Sequence, residues 1–256
     1  MKTNLISYNL NGIRAAFNKG FMDWFAQTRP DILCVQETKA QPEQIDSEAF
    51  RRLGYETYWF SAKKKGYSGT GIVTHIKPDN VVEGMGMPAY DDEGRVLRAD
   101  FGDISLISTY FPSGTSGSER QAFKMQYLED FTRYITELRK TRPKLIITGD
   151  LNICRLPIDI NFPEKHESMS GFLPEEREWF ARFMELGFTD TFREFCDQGE
   201  RYSWWSMRTR ARERNMGWRI DYFLTTDNLK QNLISADILE NVVHSDHCPV
   251  ALGIEF

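Results

Sequence analysis

Leu145-Ile-Ile-Thr-Gly-Asp-Leu-Asn152 is a β-branched apolar run that halts at a carboxylate and an amide. β-Branched residues pack well on a pleated surface, so Leu145 to Thr148 predicts a strand with Asp150 and Asn152 presented at its end. The same ending recurs in four other places. Leu5-Ile-Ser-Tyr-Asn-Leu-Asn-Gly12 stops at Asn9 and Asn11, and Ile32-Leu-Cys-Val-Gln-Glu37 stops at Glu37. Trp218-Arg-Ile-Asp-Tyr-Phe-Leu224 carries Asp221, and His244-Ser-Asp-His-Cys-Pro249 carries Asp246 and His247. Asp and Asn favour turns and caps, so one such ending is ordinary. Five spread over the chain indicate strand ends that converge on one polar site, suited to a metal, a phosphate and a water.

Outward from that run, further strand-like segments are Leu5 to Leu10, Ile32 to Gln36, Thr57 to Phe60, Gly71 to Ile76, Val96 to Phe101, Ile104 to Tyr110, Arg219 to Thr225 and Val250 to Ile254. Helices are predicted over Gly20 to Thr28 and over Ser118 to Thr141. The second opens with Ser118-x-x-Gln121, a capping-box pattern, and stripes Phe123, Tyr127, Phe131, Ile135 and Leu138 along one face before Pro143. A third helix starts near Pro174, whose fixed φ suits a first helical position, and finishes before Gly187. Strands outnumber helices and lie in both halves of the chain. Two sheets packed face to face with helices outside fit that pattern better than one doubly wound sheet.

A chain of 256 residues with 41% hydrophobic content can bury a large core, and a single domain over 1–256 is the default at this size. The net charge of −5 argues, as a sum, against a nucleic-acid partner, because phosphate binding leaves a basic footprint. Distribution matters more. Lys63, Lys64 and Lys65 form a basic triplet, and Arg208, Arg210, Arg212, Arg214 and Arg219 face a single acid, Glu213. A solvated charged loop and a DNA contact satisfy this charge pattern equally. Cys34, Cys154, Cys196 and Cys248 form no C-x-x-C pair, which signals neither a disulfide framework nor a zinc site. The chain enters a strand straight after Met1-Lys-Thr, without signal peptide, transit peptide or membrane span, so a reducing, cytoplasmic setting and no membrane partner are expected.

The chemistry lies in the strand endings. Magnesium takes one or two carboxylates and keeps several waters, an economy that Glu37 with Asn9 or Asn11 would meet. Asp150 and Asn152 are two residues apart and would face the same way on an extended chain, setting an acid beside an amide that can donate to a phosphate oxygen. An Asx turn explains either residue alone. Asp221 sits in an apolar run and needs a partner if buried. His247 needs a carboxylate on its second nitrogen to fix its tautomer, and the two complete each other. His75 and His166 have no comparable setting and read as structural.

In order, Asn9-x-Asn11-Gly12, Leu33-Cys-Val-Gln-Glu-Thr-Lys39, Gly66-Tyr-Ser-Gly-Thr-Gly71, Glu93-Gly-Arg-Val96, Gly149-Asp-Leu-Asn152, Gly217-Trp-Arg-Ile-Asp-Tyr-Phe223 and Ser245-Asp-His-Cys-Pro249 resemble the motifs of the exonuclease III family of apurinic/apyrimidinic endonucleases. The resemblance covers essentially the whole chain, is to the bacterial type, and implies the four-layered α/β sandwich of the endonuclease/exonuclease/phosphatase superfamily, two facing mixed β-sheets flanked by helices. It implies Glu37 as a ligand of Mg2+, with Mn2+ as a substitute, and Asn11 and Asp246 as further ligands. Asn9, Asn152 and His247 would contact the scissile phosphate with Tyr110 beside it, Asp221 would orient His247, and Asp150 would act on the attacking water. Either Asp150 or His247 could remove the proton, with one metal or two.

The family's substrate is duplex DNA with abasic or 3′-blocked sites. The implied reaction is incision 5′ to the abasic site, with 3′→5′ exonuclease and 3′-end trimming, by a protein expected to be a monomer. Trp204 and Trp218 match positions that line the pocket for the extruded sugar. The loop Ser113-Gly-Thr-Ser-Gly117 lacks the arginine that animal members insert into DNA, and Arg208 stands where they have methionine, so Arg208, Arg210 and Arg212 are the candidates for gripping DNA. Rival readings are a superfamily hydrolase of inositol phosphates or sphingomyelin, and a catalytically dead DNA-binding module. The Gly217–Phe223 motif and the arginine run weigh against the first, and the intact acidic and histidine set against the second.

Overall fold

The computed structural model describes residues 2–256. In chain order it comprises β1 (Lys2–Asn9), α1 (Ile13–Phe17), α2 (Phe21–Thr28), β2 (Ile32–Gln36), α3 (Ser47–Arg51), β3 (Glu56–Phe60), β4 (Thr70–Thr74), β5 (Asn80–Glu83), α4 (Pro88–Asp91), β6 (Val96–Phe101), β7 (Ile104–Tyr110), α5 (Ser118–Arg139) and β8 (Lys144–Asp150). These are followed by α6 (Pro174–Glu185), β9 (Phe188–Asp190), α7 (Thr191–Phe195), β10 (Trp204–Trp205), β11 (Gly217–Trp218), β12 (Asp221–Thr226), β13 (Leu233–Ile238) and β14 (Val250–Glu255). Two six-stranded sheets result, in the orders β13-β14-β1-β2-β4-β3 and β5-β6-β7-β8-β12-β9. Both are mixed, with one parallel pair at the centre of each, β1 with β2 and β7 with β8.

The period of two along each strand builds four layers. Leu5, Ile32, Cys34, Leu106, Ile146 and Phe223 point inward and form the core between the sheets. Their neighbours Ile6, Leu33, Val35 and Val73 point outward and pack on Phe21 and Phe25 of α2 and Phe50 of α3. On the far side Ile107, Leu145, Ile147 and Leu224 meet Tyr127, Phe131 and Ile135 of α5 and Trp179 and Phe183 of α6. Central strands buried on both faces explain why their sequences read as unbroken apolar runs. This is the α/β sandwich of two facing mixed sheets flanked by helices that the motifs implied.

Several boundaries differ from the sequence reading. Ser118 is the first helical residue and the N-cap is Gly117, which has no side chain to cap with, while the Gln121 amide donates to Glu176. The Arg219 N–H goes to the Asp159 carbonyl, which delays β12 to Asp221. β4 ends at Thr74, whose hydroxyl bonds both the N–H and the carbonyl of Ile76. β5 and β13 lie at sheet edges, half exposed and short of the apolar pattern that marks a buried strand.

Register brings the polar endings together. Tyr110 of β7 pairs with Asp150 of β8, and Asp150 pairs with Asp221 of β12, so three functional groups stand abreast at one end of the second sheet. In the first sheet Asn9 pairs with Gln36, which sets the turn after β1 beside Glu37.

Candidate active site

Asp150 is held from three directions. Asn9 Nδ2 donates to its Oδ2 at 2.9 Å, the Asn152 N–H donates to its Oδ1 at 2.8 Å, and the Asn152 amide lies 3.3 Å from Oδ2. Asn152 has φ of 52°, so the Asp150–Asn152 pair is an Asx turn, and not the extended segment the spacing alone allowed. The residue before Asp150 must be glycine: Gly149 has φ of 137°, and a Cβ there would sit 1.9 Å from the Thr109 carbonyl oxygen. Burial, then the Asp221 charge, push the Asp150 carboxyl well above the usual carboxylate range, against the opposing pull of His247.

His247 faces Asp150 across a gap of 3.9 Å from Nε2 to Oδ2. Its Nδ1 lies 2.8 Å from Asp221 Oδ2, which also accepts from Ser203 Oγ at 2.6 Å, so Asp221 fixes the imidazole and leaves Nε2 directed at Asp150. Burial alone would lower the imidazole, but the Asp221 charge and hydrogen bond, then Asp150 and Asp246, push it up to about 10. An imidazolium at neutral pH donates at both nitrogens.

Glu37 and Asn11 occupy a second corner, both in the left-handed region, with φ of 51° and 45°. Such backbone costs roughly 1–3 kcal/mol per residue and persists because the surroundings impose it. Here Asn9 Oδ1 accepts the Asn11 N–H at 2.9 Å, and the Gly12 N–H reaches the Glu37 carbonyl at 2.8 Å. Asn11 Nδ2 donates to Asp246 Oδ1 at 2.8 Å, and Lys39 Nζ reaches both Asn11 Oδ1 and, at 3.2 Å, Glu37 Oε1. Burial raises the Asp246 carboxyl, but the His247 charge and hydrogen bonds from Asn11 and Trp204 outweigh it and hold the group below its ordinary range. Glu37 and Asp246 are hard oxygen donors on one cavity, a set that fits a divalent cation. The Asn11 oxygen is already engaged by Lys39, so a metal there would compete with an ammonium. Asp150, Asp221 and His247 also bring ligand atoms within 4.8 Å of one another, but there the His247–Asp221 contact is already a hydrogen bond.

The cavity over these groups holds about 230 Å³. Glu37, Tyr110, Asp150, Asn152, Asp246 and His247 form its polar floor, and Trp204, Trp218, Ile220 and Met169 its apolar wall. Trp204 and Trp218 are register partners in β10 and β11, set edge to face with ring centroids 5.9 Å apart, and Trp204 Nε1 donates to Asp246 Oδ2 at 3.1 Å. Burial, then the charges of Glu37 and Asp150, hold the Tyr110 phenol well above its usual value, so it stays a neutral donor.

Other sequence-predicted residues lie elsewhere. Asn9 is fully buried with both polar ends engaged, so in this arrangement it braces Asp150 and Asn11 and does not open on the cavity. Arg208 is exposed and outside the cavity lining. Arg212 bonds the carbonyls of Ser245, Glu240 and Val242 and lies over Trp205, which makes it a brace and not a free cation. Arg219 is buried on Asp159 and Asp190. His166, read as structural, is half-buried with its ring 5.2 Å from that of Trp218.

The model of the Endonuclease/Exonuclease/phosphatase family matches residues 6–247. The chain belongs to that family. Within it, the chain is 42% identical to the exodeoxyribonuclease of Bacillus subtilis (strain 168), over 98% of both chains. It is 38% identical to the DNA repair nuclease APEX1 of Danio rerio, over 97% of this chain and 81% of that one. The structure of an AP endonuclease from Archaeoglobus fulgidus superposes with a TM-score of 0.89 at 30% identity, over 99% of this chain and 100% of that one. The chain is a nuclease of the endonuclease/exonuclease/phosphatase family, and the inositol-phosphate and sphingomyelin readings gain nothing from these relatives.

Sequence reasoning did not single out several residues of this family member's site. Lys39 stands two residues past Glu37, where the motif already placed it. Arg95, fully buried, donates to the Tyr110 carbonyl at 2.7 Å and lies 5.0 Å from the Tyr110 ring; its signal was an arginine inside the Glu93-Gly-Arg-Val96 motif. Ser203, on Asp221, and Lys124, on the Asn152 carbonyl, had no motif of their own.

Proposed function

We propose that the chain cleaves the phosphodiester 5′ to abasic sites in duplex DNA, with 3′→5′ exonuclease and 3′-end trimming at the same centre, using magnesium or, in its place, manganese. Residues 1–256 act as one catalytic unit, a reading supported by the core the two sheets share. The observation that carries the proposal is the row Asp221, His247 and Asp150 at the strand ends, opening beneath the Trp204–Trp218 wall.

When bound, the divalent cation neutralises charge developing on the phosphate oxygens. Asp150, raised toward neutrality and fixed by Asn9 and Asn152, accepts the proton of the attacking water. His247, held as an imidazolium by Asp221, donates from Nε2 to a phosphoryl oxygen, and the neutral Tyr110 phenol and Asn152 amide donate beside it. Water oxygen bonds phosphorus in line with the departing O3′; the P–O3′ bond breaks and O3′ takes a proton from solvent, leaving a 3′-hydroxyl and a 5′-deoxyribose phosphate. Loss of one such donor costs on the order of 3 kcal/mol in the barrier. A sugar without a base is the least costly to extrude, and the tryptophan wall suits its apolar face.

A 5′-labelled duplex with one tetrahydrofuran abasic analogue tests this, with magnesium or with EDTA, beside an undamaged duplex with recessed 3′ ends. Single magnesium-dependent incision at the analogue supports the proposal. A ladder from the 3′ end alone makes exonuclease action the main activity, and no cleavage of either substrate refutes the nuclease assignment to DNA.

A further inference from the structure

Lys124 of α5 and Glu176 of α6 are both fully buried, and neither belongs to the site by sequence motif. Lys124 lies three residues before Tyr127 and so falls on the face that α5 packs against the second sheet. Its Nζ donates to Glu176 Oε1 at 2.6 Å and to the Asn152 carbonyl at 2.8 Å. Glu176 Oε1 also accepts from Gln121 Nε2 at 3.0 Å and Ser170 Oγ at 3.2 Å, while Oε2 accepts the N–H groups of Gly171 at 2.6 Å and Leu173 at 3.1 Å. Every contact of the pair therefore ends on a helix, on Asn152, or on the segment 170–173. Ser170 and Gly171 of that segment line the cavity. Gly171 has φ of 100°, and a Cβ there would lie 2.8 Å from the Trp218 ring and 3.3 Å from the Asn152 carbonyl oxygen.

A buried ion pair is a poor source of stability, since an apolar pair of equal volume commonly does as well or better. Its value here lies in where its bonds terminate. We propose that Lys124 and Glu176 are positioning residues of the active site: Lys124 fixes the left-handed turn at Asn152, and Glu176 fixes the 170–173 wall against Trp218. One device thus sets the phosphate end and the sugar end of the cavity relative to each other. The catalytic part of this inference rests on the proposed nuclease reading; the structural part does not.

The test is the paired apolar replacement Lys124→Met with Glu176→Leu, which leaves no unpaired buried charge, beside Lys124→Arg, which keeps the donors. Two readouts are taken: kcat and KM on the abasic duplex, and the fluorine-19 resonance of Trp218 in 5-fluorotryptophan-labelled protein, assigned with Trp218→Phe. The double variant is expected to stay folded with a lower unfolding midpoint, because the Gly171 and Leu173 N–H groups and the Asn152 carbonyl lose their partners, to lose about 10- to 100-fold in kcat through misplacement of Asn152, and to shift the Trp218 resonance. Lys124→Arg should recover most of the kcat. A double variant with kcat and KM within about threefold of wild type and an unmoved resonance overturns the proposal. Should the double variant fail to fold, Glu176→Gln replaces it with the same readouts. If wild type leaves the abasic duplex uncut, the proposed abasic incision fails, and the fluorine shift alone decides the role of the pair.

Discussion

Replacing Arg219 with methionine should unfold the protein far more readily than loss of a surface arginine would. The Arg219 guanidinium is 1% exposed and makes four hydrogen bonds: Nε and Nη2 to the two Asp159 oxygens at 2.8 Å each, and Nη1 and Nη2 to the two Asp190 oxygens at 3.0 and 2.7 Å. Without it Asp159 keeps Arg193 and the Leu156 N–H, while Asp190 keeps Arg155 at 3.7 Å. Removing one partner of a buried pair costs about 3–5 kcal/mol. For a chain of this size each kcal/mol moves the midpoint by about 2–4 °C, so a fall of roughly 10 °C is expected.

The pH dependence has a definite sign. Burial raises the Asp159 carboxyl, but Arg219 and then Arg193 hold it below its ordinary value. A depressed carboxyl contributes stability above its unfolded value, near 4, and loses it as pH falls through the folded value. The variant keeps Arg193 on Asp159 but loses the larger part of the depression, so its deficit against wild type should be full near neutrality and narrow by about pH 3, below the unfolded value. Chemical denaturation followed by circular dichroism at both pH values measures this. A deficit below about 1 kcal/mol near neutral pH, the value of an exposed pair, or one that widens on acidification, would refute the reasoning.

Asp221→Asn removes the charge on His247 Nδ1, and a hydrogen bond to a charged group is worth about 1.5–3 kcal/mol, so kcat on the abasic duplex should fall about 10- to 150-fold. Because Asp221 is the main influence raising His247, the alkaline limb of the pH–rate profile should move to lower pH in the variant; an unmoved limb would show that His247 does not act as the imidazolium. Trp218→Ala strips half of the edge-to-face pair from the wall, and the loss of roughly 1.5–3 kcal/mol of apolar contact should raise KM for the abasic duplex tenfold or more with kcat less affected. Equal loss on abasic and undamaged ends would remove Trp218 from substrate selection.

The strand endings were legible because their chemistry is local: a buried β-branched run has an apolar signature, and Asp150, Asp221 and His247 interrupt or end such runs conspicuously. Their abreast placement depended on register, which no local pattern carries. The Asn152 turn was left as one of two conformations, because Asp-x-Asn fits both an extended segment and an Asx turn. The arginine run was ambiguous for a different reason. Arg208, Arg212 and Arg219 look alike in sequence, yet one is exposed, one caps carbonyls and one is buried between two aspartates contributed by segments far away in the chain. Lys124 and Glu176 escaped because a charged residue on an apolar stripe reads as a break in the pattern, whereas here each charge is the other's partner.

Incision of a natural abasic duplex in water enriched in oxygen-18 tests the central claim most directly, with the products read by phosphorus-31 resonance and mass. Hydrolysis at the strand-end site predicts a single heavy oxygen on the 5′-deoxyribose phosphate and an intact 3′-hydroxyl on the upstream strand. An unlabelled phosphate with an unsaturated sugar left on the 3′ end would mean that the strand is broken by elimination, and would contradict the account.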